Sequence, residues 1–482
     1  MQLKGDFNMP MMIQRDKTGA TPLFYCVNNN RLHHAQSVRE LLLTSGIKPR
    51  IDAESIAAIT LMGPGRPLHS AVFAGVYELP PGYRAEFDGE KVTLTQYWKP
   101  QAKAHRETFE ETAAHVRKLL TDSIVKTLDK NPCLFLSGGL DSSIIGAVIK
   151  AQGSEIHSYS IDYVGNKENY KVSDFSSTED APFVAEMAEF LSSNHRDVIL
   201  DTQMLFESLK SAVIARSLPS MADIDGSLLL FCEEVAKTHA YALSGECADE
   251  IFAGYRWYFD MELLGGDGFC WIRSVNERAN LLREGVLGGI SPREYIQKAR
   301  DDVIKNVPYL DSDDSLTKRR REMFYLNYYY FMQTLCERGF AMSSAQNLKI
   351  LMPFSNAEIA EYAFNIPWEI KSHQNREKGL LRHAFNDILP NGVAWRKKSP
   401  FPKTHNPQYL RLVTLALGEI IARSDCRILE IYDKKKLTAL IENEGSQFTK
   451  NWFGQLMSVP QIFAYLIQLE HWLREFDVVI SC

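Results

Sequence analysis

The rhythm of apolar and polar positions changes twice along the chain. Up to about residue 100, short β-type runs (Leu23 to Val27, Gly75 to Leu79, Arg84 to Phe87, Lys91 to Leu94) are broken by Pro and Gly. They predict a small sheet-rich α+β unit with one or two helices. Trp98 and the polar stretch Lys99 to Arg106 mark its end. From Glu107 the apolar residues Phe109, Ala113, Val116, Leu120 and Ile124 recur at three- and four-residue intervals, the period of an amphipathic helix. Strand and helix patterns then alternate. Strands are predicted at Leu134 to Leu136, Ile156 to Ile161, Asp197 to Leu200 and Tyr241 to Leu243, with helices at Ser142 to Lys150, Ala181 to Leu191 and Leu228 to His239. Such alternation predicts a parallel sheet with crossover helices, whose ligands sit beyond the carboxyl ends of the strands. Gly165 to Thr178 is polar and aperiodic, and reads as a loop over that site. Beyond about Leu310 the helical period takes over, ending in Gln461 to Phe476 with Ile462, Tyr465, Leu466, Leu469 and Leu473 on one face.

Two of the predicted strands run into turns that carry chemistry. Leu134 to Leu136 leads into Ser137-Gly138-Gly139-Leu140-Asp141-Ser142-Ser143 and then an apolar helix. Glycines without side chains let backbone N–H groups approach anionic oxygens, the helix N-terminus adds its positive end, and Asp141 can hold the Mg²⁺ that accompanies ATP. The spacing is not that of a Walker loop. Tyr241 to Leu243 leads into Ser244-Gly245-Glu246-Cys247-Ala248-Asp249-Glu250. Three carboxylates within five positions are costly unless they hold a cation or move protons.

Composition narrows the function classes. A chain of 482 residues with 45% hydrophobic and 24% charged positions is ordinary globular material for two or three domains. A net charge of -6 leaves no basic footprint for nucleic acid, and no run of residues has the length and apolarity to span a bilayer. A cytoplasmic enzyme acting on a small molecule is the expectation, and a homodimer is compatible with it. The eight cysteines show neither a zinc spacing nor a disulfide framework.

The two Ser-Gly turns together resemble the synthetase domain of glutamine-dependent asparagine synthetases and their relatives, the β-lactam synthetases and lasso-peptide cyclases. Arg15 to Tyr25 is similar to the family's RDxxGxxPLYY segment, Leu79-Pro80-Pro81-Gly82 to its LPPG turn, Glu377 to Arg382 to its EKxxLR stretch and Arg396-Lys397-Lys398 to its RKK stretch. The resemblance implies an N-type ATP pyrophosphatase-like α/β fold with a helical C-terminal half. Residues 104–260 would be the nucleotide-binding core, and the mainly helical 261–482 would complete the acceptor pocket. In that family ATP adenylates a carboxylate and an amine displaces AMP to make an amide. Ser137, Gly138, Gly139, Asp141 and Ser142 would then cradle the pyrophosphate, and Asp141 and Asp249 would share Mg²⁺. The backbone at Leu136 and Ile161 would border adenine, and Gly245 would lie near the α-phosphate. Glu246 would be the base for the attacking amine, and Lys378 would offset charge at the α-phosphate. Arg396 to Lys398 reads as surface or pyrophosphate-exit charge.

The chain departs from the family in two places. Gln2 stands where the family carries its N-terminal nucleophilic cysteine, and Arg15-Asp16 comes only a few residues into the chain, so 1–103 is expected to be a shortened, inactive remnant of the glutaminase domain. Cys26, not N-terminal and at the end of a predicted strand, cannot replace that nucleophile. In the acceptor pocket the family's VRVPFLD becomes Ile350 to Asn356, with Leu351 for Arg and Asn356 for Asp, and its DEP becomes Ser217-Leu218-Pro219. Changing a buried charge and its partner changes which substrate is satisfied. The expectation is an ATP- and Mg²⁺-dependent amide synthetase for an amino-acid-like substrate that does not hydrolyse glutamine. It would close a lactam, as in specialised metabolism. The alternatives are an ammonia-dependent asparagine synthetase and a non-catalytic nucleotide-binding partner.

Overall fold

The computed structural model describes residues 11–170 and 178–481. In chain order its strands are β1 (Met11–Gln14), β2 (Phe24–Asn28), β3 (Arg31–Ala35), β4 (Arg50–Ile51), β5 (Val76–Glu78), β6 (Tyr83–Phe87), β7 (Val92–Gln96), β8 (Cys133–Phe135), β9 (His157–Tyr163), β10 (Asn194–Leu200), β11 (Tyr241–Leu243), β12 (Lys349–Leu351) and β13 (Val479–Ile480). The N-terminal unit holds two three-stranded antiparallel sheets, β1-β6-β7 and β3-β2-β5. Sequence rhythm found four of these strands but not that they split into two sheets.

Helix Phe109–Val125 opens the second region. Thr108 and Glu111 close a capping box at its start, and Ala113, Val116, Leu120 and Ile124 are buried along the anticipated face. The central sheet has the order β10-β9-β8-β11-β12, all parallel, with Leu134 beside Ser158 on one side and Leu243 on the other. Helices cross between its strands, among them Leu140–Ala151, Ala181–Leu191, Thr202–Arg216 and Asp223–Ala236. The fifth strand, β12, returns only after a helical excursion of about a hundred residues, so the local alternation that revealed the other four could not show it. Within Gly165 to Thr178, Asn166–Asn169 makes one helical turn; 171–177 lie outside the described residues.

Helices already dominate from Met261 onward, earlier than the sequence period suggested. A long helical run from Ser315 to Ser344 contains a π-helical stretch, Asn327–Phe331, whose aromatic residues are buried. The final helix, Val459–Glu475, is buried along most of its length and ties the molecule together. Its Tyr465 hydroxyl donates to Ile59 O at 2.7 Å, and Trp472 packs on Phe73 with ring centroids 5.1 Å apart. β13 then pairs in parallel with β4 of the N-terminal unit. One apolar core runs from Phe24, Val38 and Leu61 to Leu134, Ile144 and Leu243. No helix among the described residues is long and apolar enough to cross a membrane.

Candidate active site

A cavity of about 210 Å³ opens at the carboxyl ends of the parallel strands. Leu136, Ser137, Asp141 and Ser142 after β8, Ile161 of β9, and Gly245, Glu246 and Asp249 after β11 all border it. Two glycines make this convergence feasible. Gly138 has φ 63, and a Cβ there would lie 2.7 Å from the Phe183 backbone. A Cβ on Gly245 would lie 2.8 Å from Asp141 Cβ, so the two turns touch only because Gly245 has no side chain. The first turn is also braced internally. Ser137 N donates to Ser142 Oγ at 3.2 Å, and Gly139 N donates to Ser137 Oγ at 3.3 Å. Gly138 thus lies against helix Ala181–Leu191, while Ser137, Asp141 and Ser142 border the cavity.

Lys378 lies behind Asp141 and Asp249. Its side chain is 2% exposed, and its Nζ is 2.6 Å from both Asp141 Oδ2 and Asp249 Oδ1. It precedes helix Gly379–Phe385 with a left-handed backbone, φ 52 and ψ 35, an uncommon conformation for a lysine and one that surrounding structure must enforce. Burial works against its charge, but the two carboxylates outweigh burial and raise its pKa. The carboxylates differ from each other. Burial raises Asp141 despite Lys378, whereas Asp249, facing Lys378 and also Lys398 Nζ at 3.3 Å, is held at about 2 against its own burial.

The Arg396 to Lys398 run is corrected by the structure. Arg396 is buried, stacks over the Phe183 ring, donates to Gly138 O at 3.1 Å and pairs with Asp180 Oδ1 at 2.5 Å. It therefore fastens the first turn to helix Ala181–Leu191. Lys398 borders the cavity itself, and only Lys397 is exposed. Three adjacent cations look like solvated surface in a sequence. Only the fold reveals the acids opposite two of them.

Glu246 faces the same cavity. Its Oε1 accepts from Arg338 Nη1 at 3.2 Å, while its Oε2 is buried without a hydrogen-bond partner. Burial raises its pKa above the usual carboxylate range, partly offset by Arg338. An unpaired oxygen on a carboxylate whose proton affinity is raised suits acceptance of a proton from a reacting group. The remaining wall is largely apolar, with Tyr255, Phe331, Leu335, Ile350 and Phe401. The acceptor segment is arranged differently from the sequence expectation. Asn356 caps helix Ala357–Asn365, accepting from Glu358 N at 2.8 Å, and Leu351 lends its carbonyl to Ser244 N at 3.0 Å. Neither borders the cavity; Ile350 does. Sequence reasoning missed Arg338, whose partners lie about a hundred residues away and leave no periodic trace.

The donor set suits a hard divalent cation. Asp141 and Asp249 meet at the Lys378 ammonium through one oxygen each, and Asp141 Oδ1 is buried without a hydrogen-bond partner, an oxygen left to take a cation. No group of three or more His, Cys, Asp or Glu among the described residues could hold a metal alone. Such an ion would complete its oxygen shell from phosphate and water.

Comparison with known proteins agrees with this geometry. Residues 115–474 match the asparagine synthase family model, and residues 4–98 match the model for a glutamine amidotransferase domain. The sheet and the match together define an ATP-dependent ligase of the amide-forming class. The chain belongs to the asparagine synthetase family. It is 37% identical to asparagine synthetase [glutamine-hydrolyzing] 3 of Bacillus subtilis over 474 residues, 97% of this chain and 77% of that protein. Identity is 27% to asparagine synthetase [glutamine-hydrolyzing] 1 of the same organism, covering 80% of this chain and 65% of the relative. An amidase, chry2, of Gibberella zeae is 22% identical over 80% of this chain and 66% of its own length.

Proposed function

We propose that this ligase adenylates the carboxylate of an amino-acid-like substrate and lets an amine displace AMP, without drawing that amine from glutamine hydrolysed by residues 1–103. The observation that carries this reading is the convergence of Asp141, Asp249 and Glu246 on one cavity at the strand ends, with Lys378 Nζ held between the two aspartates. In the first step a carboxylate oxygen attacks the α-phosphorus and pyrophosphate leaves. Ser137 and Ser142 hydroxyls and the backbone of the Gly138-Gly139 turn hold the phosphates, and Leu136 and Ile161 flank the adenine. Asp141 and Asp249 would hold Mg²⁺, which neutralises the departing pyrophosphate when bound. Lys378 and Lys398 keep positive charge beside the reacting phosphate. In the second step the amine nitrogen attacks the acyl carbon, the C–O bond to AMP breaks, and Glu246 takes the amine proton.

We read the acceptor as an amino-acid-like molecule with one carboxylate and an amine of its own, closing to a lactam; the committed charges of the cavity support the single carboxylate. Arg338 is already neutralised by Asp225 and Glu246, Lys378 by Asp141 and Asp249, and the other walls are mostly apolar. A second substrate carboxylate would find no uncommitted guanidinium there. Within residues 1–103 the one cysteine is Cys26, buried in the middle of β2, where a thiol cannot meet glutamine. The names of the bacterial relatives, asparagine synthetases designated glutamine-hydrolyzing, favour a second reading in which the product is asparagine; with no glutamine hydrolysed by residues 1–103, its amine would be free ammonia. A pyrophosphate-release screen over amino-acid substrates, run with no added amine, with ammonia and with glutamine, separates the two. We expect turnover without added amine for an amine-bearing substrate and no glutamate from glutamine. Turnover confined to aspartate plus ammonia would favour the second reading, and glutamate release matching AMP formation would overturn both.

A further inference from the structure

A line of alternating charges, buried or half-buried, crosses the molecule and ends at Glu246. Arg15 Nη1 lies 2.6 Å from Glu78 Oε1, and Glu78 Oε2 lies 2.8 Å from Arg66 Nη2. Arg66 Nη2 is 2.7 Å from Glu337 Oε2, which is also 3.1 Å from Arg216 Nη2. Arg216 Nη1 faces Asp225 Oδ2 at 3.5 Å, Asp225 Oδ1 accepts from Arg338 Nε at 3.1 Å, and Arg338 Nη1 reaches Glu246. Four guanidinium groups and four carboxylates alternate, and each interior member touches an opposite charge on both sides. Breaking a buried line of this kind costs far more than a surface pair, because each removed member strands its neighbours.

The last link is built with particular care. Arg338 Nη2 donates to Ile224 O at 2.9 Å, and its guanidinium lies over the Phe401 ring, 4.3 Å from the centroid. All three guanidinium nitrogens and one face are thereby committed, which fixes the fork. The next residue on the same helix is Gly339. A Cβ there would lie 3.2 Å from Glu246 Oε2, so the missing side chain makes the space in which the carboxylate rests. One helix therefore supplies both the cation that holds Oε1 and the gap that receives Oε2. Oε2 rests there buried and without a hydrogen-bond partner.

We infer that Arg338 is a positioning residue for the amide-forming step, holding Glu246 so that its free oxygen meets the attacking amine, with Gly339 supplying the clearance and the charge line from the N-terminal sheet fixing the guanidinium. This rests on the reading of Glu246 as the base. A positioning role acts through Glu246 alone, and so leaves adenylation intact; a purely structural role would harm both half-reactions.

The test measures ATP–pyrophosphate exchange and amide formation in wild type, Arg338→Lys, Gly339→Ala, Glu246→Gln and the double variant Arg338→Lys/Glu246→Gln. Lysine keeps the charge but cannot hold Asp225, Ile224 O and Glu246 at once. Arg338→Lys should cut kcat for amide formation by about tenfold or more with exchange within about twofold, and should add less than about twofold on top of Glu246→Gln. Gly339→Ala should give the same split without changing any charge, which keeps the inference testable if the arginine variant does not fold. Equal loss of both half-reactions, or full multiplicative loss in the double variant, would overturn the positioning role. If Glu246→Gln cuts amide formation while neither Arg338→Lys nor Gly339→Ala does, the positioning role alone falls. If Glu246→Gln leaves amide formation intact, the base assignment falls and the inference with it.

Discussion

Lys378 shows how much one side chain must carry here. Its ammonium is the contact common to Asp141 and Asp249, so Lys378→Ala should leave two buried carboxylates facing each other and remove positive charge from both transition states. Pyrophosphate exchange and amide formation should each fall by about a hundredfold, roughly the loss of a single preorganised electrostatic contact. Initial-rate assays of both half-reactions check this, and a loss confined to amide formation would argue against it. Lys371 is the opposite case. It is buried, has no ion-pair partner among the described residues, and lies over Phe324; burial, then Arg321 and Arg320, lower its pKa from 10.5 to about 7. The folded state therefore binds the proton less tightly than the unfolded state. The resulting penalty is absent above pH 10.5, grows as the pH falls toward 7 and is constant below that, at ~1.4 kcal/mol for each unit of lowering. Lys371→Met should raise Tm by several degrees at pH 7, with the gain shrinking by pH 10, as read by thermal melts at the two values. Lys378 was legible through its EKGLLR surroundings. Arg338 and Lys398 were not, because a residue acquires its electrostatic partner from the fold, over separations of a hundred residues or more.

Among the elements, the turn after β8 carries the clearest structural demand. Gly138 has a positive φ and no room for a Cβ against Phe183, whereas a Cβ on Gly139 would meet only Ser137 Oγ, at 3.2 Å. Gly138→Ala should therefore destabilise the turn and lower Tm. Gly139→Ala should fold normally and lose activity only through crowding of the phosphates. Melting curves beside pyrophosphate exchange distinguish the two, and equal Tm values for both variants would contradict the packing argument. The strands and helices around this turn were readable because hydrophobic period is a local signal. β12 and the split of the N-terminal strands into two sheets were not, since strand pairing depends on residues distant in sequence. The π-helical stretch Asn327–Phe331 likewise has no mark in the apolar pattern, though it turns Phe331 toward the cavity.

At the scale of the whole molecule, the N-terminal unit is part of the synthetase. It shares the apolar core, pairs β4 with β13, and starts the charge line that reaches Glu246. The whole account stands on a carboxylate being adenylated before the amine attacks. Supplying the acceptor with ¹⁸O in its carboxylate and analysing the nucleotide product by mass spectrometry tests that most directly. The account predicts AMP carrying one ¹⁸O for each amide formed, together with unlabelled pyrophosphate. Unlabelled AMP, or ADP with labelled phosphate, would contradict it.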